Sequence, residues 1–339
     1  MAGCGIRAMR WELESAATEG VPVQLHVNDA DVDRRDLLEA NMEALAPPVE
    51  ITTVRAELLL AQAYLDGCFF DLIDLDAFGA AGALLQPVLQ VLRFEGILFL
   101  ASTDGRSPTG HDRRAALRNL GSAARVHPAS WEMALRQQMG LLARQAWLLG
   151  RGVQPLLSFS EGRTFRLAVR LLRQLRPLEE QFLGLVARCE RCGDQQFQPL
   201  MKLRGWPPCS CSQGQGLWSV SGPLWIGPLQ DGETLKALQT DPCLKQPDLI
   251  ASSSRRLLRR LLADPGSPPR VWPTAELAKR LGSSGPPPLD ELVQALRYEG
   301  HQAFASGVMA GQIRTNAVFP DLLQTCSALA PEGIKYPQR

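Results

Sequence analysis

In this sequence of 339 residues, the residues best suited to chemistry lie where an apolar stretch ends. Asp76, Phe78 and Gly79 end the run Asp71-Leu-Ile-Asp-Leu-Asp-Ala-Phe-Gly79. A carboxylate beside an aromatic ring can hold a nucleobase, because the ring stacks on the base while the carboxylate accepts hydrogen bonds from its exocyclic amine. The alternative is a core phenylalanine beside a solvated aspartate.

A second candidate site lies at the start of the sequence. Gly3 and Gly5 precede a helical stretch, in a turn where missing side chains let a ligand approach backbone N–H groups. Asp29 follows the next apolar run, where a carboxylate can accept hydrogen bonds from both hydroxyls of a ribose; a helix-capping aspartate is the alternative. A turn of this type normally follows the central strand of a sheet. We therefore expect the first strand to be missing or to lie upstream of Met1.

Four cysteines have the spacing of a metal site. Cys189 and Cys192 are two residues apart, Cys209 and Cys211 are one residue apart, and 16 residues separate the pairs. This pattern is typical of a tetrahedral structural zinc site, although the one-residue gap is tighter than usual. The N-terminus lacks the order of a signal peptide, so we expect a cytoplasmic location in which paired thiols bind metal. Reduced thiols without metal are the alternative.

The first 105 residues alternate short apolar runs with helical stretches, which is the pattern of a parallel sheet. We expect strands at 23–27, 51–54, 69–75 and 97–101, and helices at 33–44 and 84–92. Asp29, Asp76 and Asp104 follow three of these strands, at the edge where such sheets bind ligands. A helix over 130–149 and strands at 155–159 and 164–171 complete a predicted α/β domain.

Charge is divided unevenly along the chain. Residues 1–110 contain 7 Lys and Arg against 17 Asp and Glu, a net charge of −10, and residues 111–339 contain 29 against 18, a net charge of +11. The basic part favours a polyanionic partner. The candidates for RNA contact are Arg166 and Arg170 on one strand face and Arg255 and Arg259 on one helix. For the helix, a solvated surface is the alternative.

The C-terminal part predicts a smaller α+β unit. Helices at 274–281 and 289–298, then strand-like segments at 301–306 and 312–317, follow the order of a winged-helix unit. Residues 205–235 are rich in Gly, Pro, Ser and Trp, which predicts a loop-dominated junction. We therefore divide the chain into an α/β domain (1–180), a cysteine-containing connecting segment (181–229) and a C-terminal domain (230–339). No apolar stretch reaches the about 18 residues that a membrane span needs.

Six segments together resemble the S-adenosylmethionine-dependent tRNA guanine-26 N2-dimethyltransferases. They are Ala2-Gly-Cys-Gly-Ile-Arg7, Ile73-Asp-Leu-Asp-Ala-Phe-Gly79, Thr103-Asp104, Gln154-Pro-Leu-Leu-Ser158, Gly222-Pro-Leu-Trp-Ile-Gly-Pro-Leu229 and Ile313-Arg-Thr-Asn316. The resemblance implies a Rossmann-like methyltransferase sheet closed by a hairpin, S-adenosylmethionine as cofactor, and a C-terminal domain that helps to hold tRNA. It implies methyl transfer to the exocyclic N2 amine of a guanine.

The resemblance also implies roles for particular residues. By position, cofactor contacts fall on Gly3, Gly5, Arg7, Asp29 and Ala56, and the Asp and Phe of the family's Asp-Pro-Phe-Gly motif fall on Asp76 and Phe78. Asp76 is then expected to orient the amine and receive its proton, and Phe78 to stack on a base displaced from its helix. Ala77 stands where the family has proline, and Arg55 where it has a cofactor-contacting Asp.

Two other functions are compatible with parts of the sequence. Loss of cofactor binding through Ala77, Arg55 and the missing strand would leave a catalytically impaired tRNA-binding protein of the same fold. A zinc-containing winged-helix transcription regulator would bind duplex DNA, but it does not explain the acidic residues at the edge of a parallel sheet. We expect tRNA as the partner, with no membrane and no obligate protein partner.

Overall fold

The computed structural model describes residues 2–19, 23–45, 49–209, 211, 217–241 and 250–330. Strands and helices alternate in the N-terminal part, as the sequence pattern predicts. Its elements are α1 (Ile6–Glu19), β1 (His26–Asn28), α2 (Arg35–Met42), β2 (Glu50–Thr52), α3 (Ala56–Leu65), β3 (Phe70–Ala77), α4 (Gly82–Val91) and β4 (Leu92–Ser102). They are followed by α5 (Arg113–Leu120), α6 (Ser130–Leu148), β5 (Gly152–Glu161) and β6 (Thr164–Leu172).

The main sheet has four strands in the order β3-β4-β6-β5. Strand β3 runs parallel to β4, whereas β6 is antiparallel to both β4 and β5. The predicted hairpin of two strands after α6 therefore closes the sheet. Parallel pairing brings the carboxyl ends of β3 and β4 to the same edge, where Ala77 lies opposite Ser102.

A second, two-stranded parallel sheet contains β1 and β2. Within the described ranges, β1 pairs only with β2 and β3 only with β4, and no strand lies between β1 and β3. The rings of His26 on β1 and Phe70 on β3 are nevertheless 6.2 Å apart, so the two sheets lie side by side.

Helices cover both faces of the main sheet. Leu85, Val88 and Leu89 of α4 and Leu135, Met139 and Leu142 of α6 form a buried core with Leu98, Leu100, Phe165 and Leu167 of the strands. On the opposite face, the Trp11 ring of α1 contacts the Phe99 ring of β4 with centroids 5.3 Å apart. The helix predicted over 130–149 is therefore confirmed as a covering helix. No described helix is long and apolar enough to cross a membrane.

The connecting segment folds as a three-stranded antiparallel sheet. Its strands are β7 (Leu183–Cys189), β8 (Gln195–Pro199) and β9 (Trp218–Trp225), in the order β8-β7-β9. The prediction of a loop-dominated junction over 205–235 is therefore wrong for the residues of β9. Gly222 and Pro223 lie inside this strand and mask its pattern, and the register with β7 shifts beside them. The boundaries of the three-domain division stay a prediction.

The C-terminal part has its own core. Its elements are α7 (Gly232–Thr240), α8 (Ser252–Ala263), β10 (Val271–Pro273), α9 (Thr274–Leu281), α10 (Leu289–Tyr298), β11 (Ala303–Ala305), β12 (Gln312–Thr315) and α11 (Phe319–Leu329). The predicted order of two helices and a hairpin is confirmed, and β10 extends the hairpin into a sheet ordered β10-β12-β11. Trp272, Leu277, Leu292 and Phe319 lie in this core.

A buried ionic network joins the C-terminal part to the main sheet. Arg314 of β12 donates to Glu132 Oε2 of α6 and to Asp264 Oδ1 beyond α8, both at 2.6 Å. Arg136 donates to Glu132 Oε1 at 2.9 Å. All four side chains are at most 2% exposed. Burial alone would raise the pKa of Glu132, but Arg314 and Arg136 hold it at about 2.

Replacing Glu132 with glutamine tests how strongly the network stabilises the fold. The substitution leaves the buried Arg136 without its carboxylate partner and Arg314 with Asp264 alone, so we expect the free energy of unfolding to fall by about 3–5 kcal/mol. Urea unfolding followed by circular dichroism measures this change. Glu39→Gln, which alters an exposed ion pair with Arg35 on α2, is the control and should leave the urea midpoint unchanged.

The pH dependence of the urea midpoint tests whether the Glu132 carboxylate is the source of this stabilisation. Its pKa is lowered from 4.5 to about 2 on folding, so the unfolded chain takes up the proton first as pH falls. The stabilisation is complete above about pH 4.5 and is lost as pH falls towards 2. The wild-type midpoint should therefore fall more steeply than that of Glu132→Gln over this window, and parallel slopes would contradict the assignment.

Candidate active site at the carboxyl edge of the sheets

The segments that follow β1, β2, β3 and β4 lie at the carboxyl edges of the two parallel pairs. Such an edge is the usual ligand site of parallel sheets, because the backbone there leaves its ladder and side chains converge. The predicted site residues lie at these strand ends or in the turn that contacts them. Asp76 is the penultimate residue of β3, Phe78 follows that strand, and Asp29 follows β1. Ala56 begins α3 after β2, and Gly3 and Gly5 belong to the turn before α1.

The glycine turn and Asp29 are brought together, as the sequence predicts. The N–H of Gly3 donates to Asp29 Oδ2 at 2.9 Å, and the N–H of Asp31 donates to Asp29 Oδ1 at 3.0 Å. Burial opposes ionisation of Asp29, but these two hydrogen bonds outweigh it and lower the pKa of the carboxyl group. Gly3 has φ +60°, and a side chain there would meet no atom within 4 Å. A ligand can therefore approach this backbone beside a negative charge.

Gly5 has a different reason to be glycine. Its φ is +77°, and an added Cβ would collide with the methyl group of Met42 on α2. The residue therefore lets the turn pack closely against α2, and it leads directly into α1. The structure thus separates a ligand-accessible glycine, Gly3, from a packing glycine, Gly5.

Asn28 connects the ends of β1 and β2. Its side chain accepts a hydrogen bond from Val54 N at 3.2 Å and donates to Val54 O at 3.0 Å. Ala56 follows as the first residue of α3. The side chain of Arg55 is exposed and lies 3.2 Å from Glu57, so its charge is partly neutralised next to this turn. Sequence reasoning assigned Asn28 no role, although an amide at the end of a strand was a usable signal.

Arg7 joins the glycine turn to the end of β3. It forms an ion pair with Asp74, and its Nη1 lies 2.8 Å from Asp76 Oδ2. Trp11 Nε1, one turn along α1, donates to Asp74 Oδ2 at 3.4 Å. Burial raises the pKa of Asp74 despite the nearby positive charge of Arg7. Asp74 is therefore a site residue that the sequence analysis did not identify.

Phe78 projects from the edge of the sheet. Its side chain is 96% exposed, whereas Ala77 before it is buried at the end of β3. The Asp76 side chain is 41% exposed on the same edge. Neither side chain is turned into the core, so the alternative of a core phenylalanine is excluded. An aromatic ring and a carboxylate are both accessible to a planar ligand here.

The four predicted zinc ligands come together between β7 and β9. The sulfur atoms of Cys189, Cys192, Cys209 and Cys211 all lie within 4.8 Å of one another. Cys189 Sγ is 3.9 Å from Cys211 Sγ, and the sulfurs of Cys209 and Cys211 are in bonding contact. Burial opposes ionisation of Cys189, but hydrogen bonds from the backbone of Cys192 and Arg191 lower its pKa. The cluster thus brings four cysteine sulfurs to one point, and that of Cys189 is predisposed to the thiolate form that binds metal.

The four arginines predicted to contact RNA lie in two places. Arg166 and Arg170 are partly buried on β6, on the sheet face that carries Asp74, and Arg166 Nε lies 3.7 Å from Glu161. Arg255 is partly buried and donates to Ile250 O at 2.9 Å, whereas Arg259 is exposed on α8. Their contact with RNA stays a prediction, for which Arg259 is the most accessible candidate.

A parallel sheet closed by an antiparallel hairpin, with polar side chains gathered at its carboxyl edge, defines a Rossmann-like methyltransferase. The family model for N2,N2-dimethylguanosine tRNA methyltransferase matches residues 1–326, more than nine-tenths of the sequence. The chain belongs to this family.

Similar proteins cover most of the chain. A tRNA (guanine(26)-N(2))-dimethyltransferase of Methanocorpusculum labreanum is 28% identical over 329 residues, which are 94% of this chain and 80% of that protein. The enzyme of that name from Schizosaccharomyces pombe is 29% identical over 269 residues, 73% of this chain and 49% of that protein. The structure of Trm1 from Pyrococcus horikoshii with S-adenosyl-L-methionine has a TM-score of 0.80 at 22% identity, and covers 96% of this chain and 86% of that one. The last comparison shows that the fold is shared.

Proposed function

We propose that this chain transfers methyl groups from S-adenosylmethionine to the exocyclic N2 amine of a guanine in tRNA, at position 26. Family membership supports the reaction class, and the relatives named above carry this activity in their names. The observation that carries the proposal is the link from the Gly3 turn through Arg7 to Asp76. These contacts support a donor subsite and an acceptor subsite at adjacent points of one edge.

The residues of the donor subsite fit S-adenosylmethionine. Gly3 leaves its backbone open, and the carboxylate of Asp29, whose pKa is lowered, is an acceptor suited to ribose hydroxyls. Gly5, Arg7 and Ala56 complete the predicted subsite on the neighbouring turns. The donor supplies a methyl group on a positively charged sulfur, which is a good leaving group, so the protein's main task is alignment.

At the acceptor subsite, Asp76 and Phe78 act on the guanine. The N2 amine is a weak nucleophile because its lone pair is delocalised into the ring. Asp76 accepts a hydrogen bond from this amine, orients its lone pair towards the methyl group and takes up the proton that leaves as the bond forms. Phe78 stacks on the flipped base, and its full exposure leaves the ring free to do so.

Substitution of Asp76 tests the proposed reaction. Asp76→Asn keeps the size of the side chain but removes the proton acceptor, so we expect transfer of labelled methyl to unmodified tRNA to fall about 10²–10⁴-fold. S-adenosylmethionine binding, followed by calorimetry, should persist. Asp71→Asn is the matched control, since Asp71 lies on the same strand at the opposite end, where it pairs with Arg93.

Two outcomes would contradict the proposed reaction. A wild-type chain that binds tRNA without transferring methyl would support the catalytically impaired alternative instead. Equal transfer to tRNA with adenine at position 26 would contradict the assigned target base. Loss of transfer in both Asp76→Asn and Asp71→Asn would indicate general destabilisation of β3.

We assign the four-cysteine cluster to a structural zinc ion. Zinc bound by four thiolates at about 2.3 Å requires sulfur atoms about 3.8 Å apart, and the Cys189 to Cys211 separation of 3.9 Å fits this geometry. The cluster lies between β7 and β9, in a different sheet from the one that carries Asp76, so its role is to hold these strands together. The alternative is the Cys209–Cys211 disulfide. In a reducing cytoplasm this disulfide is disfavoured, so both sulfurs are available to bind zinc as thiolates.

Metal analysis of the purified chain tests the zinc assignment. We expect about one zinc ion per chain by elemental analysis, and less than half of that in Cys192→Ser. Removal of the metal by a chelator should lower the midpoint of thermal unfolding, because metal binding adds to folding free energy. Cys68→Ser, which alters an exposed cysteine outside the cluster, should keep the metal. A fully reduced, metal-free wild type of unchanged stability would contradict the assignment.

The basic helix α8 is proposed to contact the tRNA backbone. Arg256, Arg259 and Arg260 are exposed along it, so their charges can reach phosphates. Replacement of Arg259 with glutamine removes one such charge, and we expect weaker tRNA binding with a salt dependence that is shallower by about 1 in log–log slope. Filter binding over a range of salt concentrations measures both. Arg35→Gln on the acidic N-terminal part is the control, and equal effects of the two substitutions would contradict the assigned surface.

A further inference from the structure

Phe78 and Asp76 are held by something other than side-chain packing. The Phe78 ring is 96% exposed, so contacts of the ring do not fix it. Asp76 is part of β3 and takes its position from the ladder with β4. The backbone on either side must therefore determine where the Phe78 ring stands relative to the carboxylate.

The ladder between β3 and β4 ends one residue before Phe78. Its last pair is Ala77 and Ser102. Beyond that pair, the loop is hydrogen-bonded by side chains instead of by the backbone groups of β4. The N–H of Gly79 donates to Thr103 Oγ1 at 2.7 Å, and Ser102 Oγ donates to Gly79 O at 2.8 Å. Both polar backbone groups of Gly79 are therefore bonded by two consecutive hydroxyl side chains of β4 and its following turn.

These two hydrogen bonds restrain Gly79, whose backbone would otherwise have wide conformational freedom. Gly79 has φ +82°, a conformation that costs glycine little, and the loop has no proline because Ala77 precedes Phe78. Ser102 is 2% exposed and also accepts a hydrogen bond from Asp104 N at 3.3 Å, so its hydroxyl is itself fixed. The two hydroxyls thus supply at Gly79 the rigidity that the sequence around Phe78 lacks.

We propose that Ser102 and Thr103 are positioning residues that hold the Asp76–Phe78 loop in its reactive conformation through Gly79. In this role the two residues contact neither S-adenosylmethionine nor the guanine, and they act through the backbone of Gly79. The proposal rests on the proposed function, because it assigns the loop to the acceptor subsite. It adds that the rate of methyl transfer depends on two hydroxyl groups at the end of β4 and in the turn that follows it.

Hydrogen exchange at a single amide tests the restraint directly. Phe78-Gly79 is the only Phe-Gly pair in the sequence, so labelling phenylalanine carbonyls with ¹³C and glycine nitrogens with ¹⁵N isolates the Gly79 amide in an NMR spectrum. Thr103→Val removes its acceptor, and exchange should become about five- to tenfold faster. Thr103→Ser restores the hydroxyl and should return exchange to the wild-type rate.

Steady-state kinetics with the same variants test the consequence. In Thr103→Val and in Ser102→Ala we expect kcat to fall roughly 10–100-fold, because small misplacements of reacting groups are costly, while KM for S-adenosylmethionine stays unchanged. Thr103→Ser should recover kcat. Thr240→Val is the matched control, because the Thr240 hydroxyl also bonds to the backbone, where it donates to two carbonyls at the end of α7.

The two measurements separate failure of the proposal from failure of the proposed function. Unchanged exchange at Gly79 in Thr103→Val would overturn the restraint, whatever the activity. Faster exchange with an unchanged kcat would overturn its role in catalysis. A wild-type chain without methyl transfer would overturn the proposed function and with it the catalytic role, while exchange would still report whether the hydroxyls hold Gly79.

Discussion

The pairing of Arg314 with Glu132 is the interaction on which the arrangement of the molecule depends. The two side chains come from β12 and α6, 182 residues apart, and meet through two hydrogen bonds of 2.6 Å in a fully buried site. A buried ion pair adds little net stability over apolar packing, but it tolerates only one geometry, since either charge left alone is costly. Asp264 extends the pair to the end of α8. The pair therefore fixes the position of the basic helix relative to the sheet.

The loop that contains Cys192 provides a second attachment of the C-terminal part, in this case to the connecting segment. The loop that contains Cys189 and Cys192 contacts the C-terminal core, because Trp272 Nε1 donates to Gly193 O at 2.9 Å and Arg280 Nη1 donates to Arg191 O at 2.8 Å. A metal in the cluster would hold this loop closed and keep both carbonyls in place. Two separate attachments, one ionic and one at the cysteine loop, resist rotation of the C-terminal part about either one alone.

Local pattern was sufficient to predict the elements that position the site, but long-range pairing was not. The strand ends at Asp29 and Asp76 were recognisable because apolar runs stop there, and the helices over 274–281 and 289–298 matched their periodicity. Strands β7 and β8 were not predicted, because β7 is buried at most positions and so lacks alternation, while β8 is short and mostly polar. The Arg314–Glu132 pair was not predicted either, because its partners are far apart in sequence and a buried arginine looks like a surface one. The contact of Arg7 with Asp74 and Asp76 was invisible for the same reason.

The acidic edge of the sheet explains why the basic residues lie elsewhere. Asp29, Asp74 and Asp76 place three carboxyl groups around the site, and Arg7 pairs with two of them. Such an edge repels phosphates, so a polynucleotide backbone cannot rest on it. A nucleobase carries no charge and offers amine hydrogens to carboxylates. Under the proposed function, the edge therefore admits the flipped guanine and excludes the strand that carries it, and the strand must be held at a distance by positive charges such as those of α8. The division of charge along the sequence follows from this requirement, because the part that receives the base and the part that holds the backbone need opposite signs.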